Sequence, residues 1–94
     1  MTFRQNPDVI QSGQQDEIVL LNPESGQYLS LDGVGAFIWR LIDDTNEASL
    51  AQIVGAVCQT YEIDAKTATQ DAHQFTETLL QNGLLLTEQL GQPT

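Results

Sequence analysis

Apolar residues follow two different periods along this chain, and the point where one replaces the other divides it. In Glu17-Ile18-Val19-Leu20-Leu21-Asn22 they form an unbroken β-branched and aliphatic run, which predicts a strand covered on both faces. Before it, Asp8-Val9-Ile10-Gln11-Ser12 has the length of a first strand, and Gly13-Gln14-Gln15-Asp16 reads as the turn between the two. After Leu21 the chain passes through Asn22-Pro23-Glu24-Ser25-Gly26. Pro presets φ there and Gly supplies a positive φ, so a hairpin turn is predicted. Gln27, Tyr28, Leu29, Ser30 and Leu31 then return antiparallel, with Tyr28 and Ser30 on one face and Leu29 and Leu31 on the other.

Beyond Asp32 the period becomes 3.6. Val34, Phe37, Ile38, Leu41 and Ile42 form one helical stripe, with Asp32 as its N-cap and Asp43-Asp44-Thr45-Asn46 as its end. Ser49 and Gln52 have the spacing of a capping box ahead of a second stripe, Leu50, Ile53, Val54, Val57, Cys58 and Tyr61. Asp64 caps a third helix in which Ala65, Ala68, Ala72, Phe75, Leu79 and Leu80 recur, and Gly83 stands where a C′ glycine closes it. Leu84-Leu85-Leu86-Thr87 is a short extended piece returning over the core. Residues 1–7 read as a frayed start and residues 88–94 as a polar tail. The expected architecture is α+β: an N-terminal three-stranded antiparallel meander followed by three helices, one domain over residues 1–94 with its ordered core at about 8–87. A short edge strand followed at once by helices leaves an open backbone ladder beside a helical wall, the form of a peptide-docking module.

Charge narrows the function classes. Thirteen acids face Arg4, Arg40 and Lys66, for a formal net charge of −10. Three scattered bases build no basic patch, so neither nucleic acid nor an anionic membrane is an expected partner. The acidity favours protein surfaces bearing Lys or Arg, or serves solubility alone. The opening residues lack a basic-then-apolar signal segment and the lone cysteine forms no internal disulfide, so a cytoplasmic location is expected.

Catalytic residues are not expected. His73 is the only histidine, and no Ser, Cys or acid is spaced to complete a constellation with it. Cys58 falls on the apolar stripe of the second helix and reads as a small buried hydrophobe. One His and one Cys make no tetrahedral metal site, Asp43-Asp44 reads as a solvated helix end, and Gly33-Val34-Gly35 lacks the further glycine and lysine of a phosphate loop. No cofactor is expected either. Trp39 is read as packing under the sheet with its N–H on a partner, the alternative being an exposed anchor. Tyr28 is read as a cross-strand filler.

The run Leu21-Asn22-Pro23-x-x-Gly26-x-Tyr28-x-x-Leu31-Asp32-x-x-Gly35-x-x-Ile38-Trp39 carries a resemblance. With the second helix closed by Tyr61, and with Asp71-x-x-x-Phe75-x-x-x-Leu79-x-x-x-Gly83-Leu84-Leu85, the chain resembles the PqqD family, the precursor-recognition elements of ribosomally made, modified peptides. The likeness runs from about residue 9 to 86. It implies a three-stranded sheet with three helices, related to winged helix-turn-helix domains, and no enzymatic activity. It further implies binding of a precursor's leader peptide as an added strand along the third strand, in the cleft against the third helix, for presentation to a modifying enzyme. That enzyme is a leader peptidase and cyclase in lasso-peptide pathways, or a radical-SAM enzyme for pyrroloquinoline quinone; the lasso type is preferred here.

Carried onto this chain, Gln27, Tyr28, Leu29, Ser30 and Leu31 would supply the ladder. Leu29 and Leu31 with Ala72, Phe75, Thr76 and Leu79 would form the pocket for an apolar or aromatic leader side chain. Asp71 either pairs with a basic leader residue or is a solvated helix acid. A winged-helix regulator and an adaptor that binds a folded enzyme but no peptide are the rival readings.

Overall fold

The computed structural model describes residues 2–14 and 17–88. The chain runs β1 (Thr2–Gln5), β2 (Ile10–Gln14), β3 (Glu17–Leu21), β4 (Tyr28–Asp32), α1 (Gly33–Thr45), β5 (Ala48–Ser49), α2 (Leu50–Thr60), α3 (Ala65–Gln81) and β6 (Leu85–Glu88). Strands β2, β3 and β4 form an antiparallel sheet with Leu20 opposite both Gln11 and Leu29; its first strand is Ile10–Gln14 rather than Asp8–Ser12, so Gly13 and Gln14 lie in the strand and not in the expected turn. Only one face of β3 is fully buried, through Ile18 and Leu20. Val19 and Leu21 keep partial exposure, which corrects the expectation of a strand covered on both sides. The sheet has helices behind it and solvent in front.

A second three-stranded sheet, ordered β5-β1-β6, departs from the expected architecture. Residues 2–5 are its central strand rather than a frayed start, with Phe3 opposite Ala48 on one side and Thr87 on the other. Phe3 is buried in the core. Glu88, read as the first residue of a tail, belongs to β6; residues 89–94 lie outside the described residues, as do Gln15 and Asp16 of the expected turn.

The helices start and stop for local reasons. Ser49 and Gln52 form the expected capping box at the head of α2, with Gln52 N–H donating to Ser49 Oγ at 3.1 Å and Ser49 N–H to Gln52 Oε1 at 2.8 Å. Asp64 accepts from Thr67 N–H at 3.4 Å at the head of α3, and hydrogen bonding from Thr67 holds its carboxyl below the usual carboxylate range. Asp32 stands at the N-cap position of α1, but its side chain makes no capping bond. The end of α3 is a Schellman motif: Gly83, at φ 71°, donates to Leu80 O, and Leu84 N–H donates to Leu79 O. On α1 the fully buried residues are Ala36, Ile38, Trp39 and Ile42. The stripe is therefore rotated toward Trp39, whose indole N–H donates to Gln11 Oε1 at 2.8 Å. Phe37 instead meets Tyr61 edge-on, ring centres 5.5 Å apart.

Candidate functional site

The packing of the helices leaves a gap along β4. Helix α3 is held by α2 and β6, whereas β4 is held by β3 and α1. The core face of α3 is built from small or slim residues, Ala68, Ala72, Thr76 and Leu79, so the helix sits close to its own supports. Its flank carrying Asp71, Gln74, Phe75 and Thr78 looks across at Leu29, Ser30 and Leu31, and a cleft of about 350 Å³ lies between them. A second cavity of about 290 Å³, lined by Gly26, Gln27, Tyr28, Leu29, Asn82 and Leu84, shares Leu29 with the first. The two make one groove beside β4.

Strand β4 is the edge of its sheet. In an antiparallel pair, every second residue directs its N–H and C=O to the partner and the others direct theirs outward. Asn22 N–H donates to Gln27 O at 2.9 Å, and the same register pairs Leu20 with Leu29 and Ile18 with Leu31. Leu29 and Leu31 thus spend their backbone groups on β3. Tyr28, Ser30 and Asp32 present theirs to the groove side.

The hairpin is tied to the helix by a buried asparagine. Asn22 is 8% exposed; its Nδ2 donates to Asn82 O, the C-cap of α3, and its Oδ1 accepts from Glu24 N–H, both at 3.0 Å. Gly83 is required beside it, because a Cβ there would stand 2.6 Å from Asn22 Nδ2. Asn6, between β1 and β2, also reaches this end of the helix, donating from Nδ2 to Gly83 O at 2.8 Å. The turn and the end of α3 therefore keep a fixed separation.

Of the residues expected in the site, Gln27, Tyr28, Leu29, Ser30, Leu31, Asp71, Phe75 and Leu79 line this groove. Ala72 and Thr76 do not. Both are buried, and Thr76 Oγ1 donates to Ala72 O at 2.9 Å, so its hydroxyl is already satisfied within the helix. Thr76 borders a different cavity, about 520 Å³, with Phe3, Leu50 and Leu80. Gln74, Thr78, Asn82 and Leu84 also line the groove, and the sequence pattern did not single them out. Three of them were reachable from it: Gln74, Thr78 and Asn82 lie at helical spacing from Asp71 and Phe75.

His73 is exposed and lies 3.6 Å from Glu77 on the same helix. Cys58 is half-buried on α2. Among the described residues no three His, Cys, Asp or Glu side chains gather where they could hold a metal, and no helix is long and apolar enough to cross a membrane.

The sequence matches the family described as coenzyme PQQ synthesis protein D (PqqD) over residues 17–85. The chain belongs to the PqqD family. The matched span contains every groove residue named above. No curated protein matches the chain by sequence. Two solved structures have its fold. One, described as TbiB1 in complex with the TbiA(beta) leader peptide, is 31% identical with a TM-score of 0.79, over 97% of this chain and 99% of that one. The other, lasso peptide synthetase B1 complexed with the leader peptide, is 27% identical with a TM-score of 0.76, over 90% of this chain and 98% of that one. The α+β architecture is thus shared over nearly the whole chain with two proteins solved with a leader peptide bound.

Proposed function

We propose that this protein binds the leader segment of a ribosomally made precursor peptide and delivers it to the enzyme that modifies the precursor. The leader adds as a strand to β4, against α3, on a winged helix-turn-helix-like frame. In this reading the protein carries out no reaction itself, needs no cofactor and works in the cytoplasm. The observation that carries it is the edge of β4 facing a groove walled by Phe75, with the buried Leu79 beneath it. Main-chain bonds to Tyr28 and Ser30 supply affinity; the apolar surface of Leu29 and Phe75, backed by the buried Leu31 and Leu79, selects the side chains. A leader that orders only on binding loses part of the gain to entropy, so affinity between nanomolar and micromolar is expected, about −8 to −12 kcal/mol.

The lasso-pathway reading, with a leader peptidase and cyclase as partner, draws on the neighbour described as lasso peptide synthetase B1, solved with its leader peptide. The family description favours a second reading, a PqqD-type chaperone for a radical-SAM enzyme. Titration of each class of leader into isotope-labelled protein decides between them. Slowed amide exchange at Tyr28 and Ser30, with shifts at Asp71, Gln74, Phe75 and Thr78, is expected for the cognate leader. Saturating leader of either class with no change at these residues would overturn the proposal.

A further inference from the structure

The outer face of the β2-β3-β4 sheet carries a rung of apolar side chains that the core does not cover. The register places Ile10 opposite Leu21 and Leu21 opposite Tyr28. Alternation along each strand puts all three on the solvent face, since Leu20, Leu29 and Leu31 occupy the other. Ile10 is 53% exposed and Tyr28 74%, the two exposed large hydrophobic residues among those described, and Leu21 between them is half-buried. Scattered exposed apolar residues are ordinary, but three adjacent across one rung form a contiguous patch. Val19 continues it one rung on, between Ser12 and Ser30.

The surround is acidic. Glu17 and Asp32 pair on the last rung of the same face, Glu24 lies in the turn above Leu21, and Asp8 precedes β2. The sequence holds no Lys or Arg between Arg4 and Arg40. A second copy of this chain would set acid against acid, and an anionic membrane would be repelled in the same way. A protein surface with an apolar side chain ringed by Lys and Arg is complementary in both respects.

We infer that this face docks the enzyme that receives the leader, through such a basic-rimmed apolar patch on the enzyme. The inference rests on the leader-binding reading and adds the surface that completes delivery. A strand added to the edge of β4 extends the same outer face next to Tyr28. An enzyme seated over Ile10, Leu21 and Tyr28 therefore lies against the bound leader as well. The groove holds the peptide from one side while the outer face presents it from the other.

The test uses the whole protein, its precursor and the peptidase or modifying enzyme that acts on that precursor. Ile10→Asp places a charge in the patch, two strands away from the leader-binding edge, and Glu24→Lys reverses a rim charge in the exposed turn. Both variants are expected to fold by circular dichroism and to bind leader peptide within about twofold of wild type. The concentration of protein needed to half-saturate precursor processing should rise by about tenfold or more for Ile10→Asp, the effect of disabling an interface anchor. It should rise less for Glu24→Lys, and wild-type recruitment should weaken with added salt. Should Ile10→Asp fail to fold, Glu24→Lys and the salt dependence still decide. Unchanged processing in the folded variants, with leader binding intact, overturns the docking face and leaves the leader reading standing. Absence of leader binding by the wild type overturns that reading, and the docking face with it.

Discussion

Phe75 owes its position to a glycine. A Cβ on Gly35 of α1 would come within 3.0 Å of Phe75 Cε1. Without it, the ring lies over the first turns of α1 with one side packed and the other open to the groove. Phe75→Ala should weaken leader binding by about 1–3 kcal/mol, the range for a pocket wall, in a chain that remains folded; calorimetric titration checks the first and thermal melting the second. Gly35→Ala separates the two quantities. Replacing a helical glycine gains about 0.5–1 kcal/mol of stability, while the new methyl moves the ring into the groove. The expected result is an equal or higher melting temperature with weaker leader binding, and a variant that binds as well as wild type would refute the placement of the ring. Ala72 and Thr76 show why single residues on α3 are hard to assign from spacing. They are buried on the core face together with Leu79, whereas Phe75 stands on the flank that faces β4.

The element that matters most is β4, whose two sides have different duties. Its inward backbone groups, on Leu29 and Leu31, bond to β3, whereas those of Tyr28 and Ser30 face the groove. Proline substitution distinguishes them. Ser30→Pro removes an outward donor, which an edge strand tolerates, so the protein should fold and lose leader affinity by about 1 kcal/mol or more. Leu29→Pro removes a donor from the internal ladder and should destabilise the sheet itself. Denaturant unfolding beside peptide titration reads both. At the head of α3, Asp64 gives a pH dependence of known sign. Its folded pKa is lowered by hydrogen bonding from Thr67, so the stabilisation is present above the ordinary carboxylate pKa and is lost as the pH falls through the folded value. Asp64→Asn, which keeps a capping oxygen without the charge, should flatten that part of the stability–pH profile.

Across the whole molecule, the second sheet closes the structure. Strand β1 lies between β5 and β6, so the first residues of the chain join the segment before α2 to the segment after α3. Phe3 fills the core beneath them at 4% exposure. Phe3→Ala should cost about 3–5 kcal/mol, a large part of the roughly 5–15 kcal/mol that holds a domain together. Equilibrium denaturation measures it, and a loss under about 1 kcal/mol would show that β1 is dispensable. Phe3 lies outside the groove, so at temperatures where this variant is folded its leader affinity should match wild type.

The features legible in the order of residues are local ones. The Asn22-to-Gly26 turn, the capping box at Ser49, the Asp64 cap, the Gly83 closure and the alternation along residues 28–31 each depend on neighbours within a few positions, so residue types and spacing are enough to specify them. The resemblance carried by the same residues pointed to the family. Which of the two flanks of α3 meets β4 is a matter of packing in three dimensions, because both flanks carry plausible residues and the choice is made by where α2 and β6 hold the helix. Strand β1 is of the same kind: Thr2-Phe3-Arg4-Gln5 has no pattern of its own and becomes a strand through partners at 48–49 and 85–88, contributed by the far parts of the chain. The spacing of the turn from the end of α3 is likewise set by Asn22 reaching to Asn82 O, a long-range bond that no periodicity along the sequence encodes.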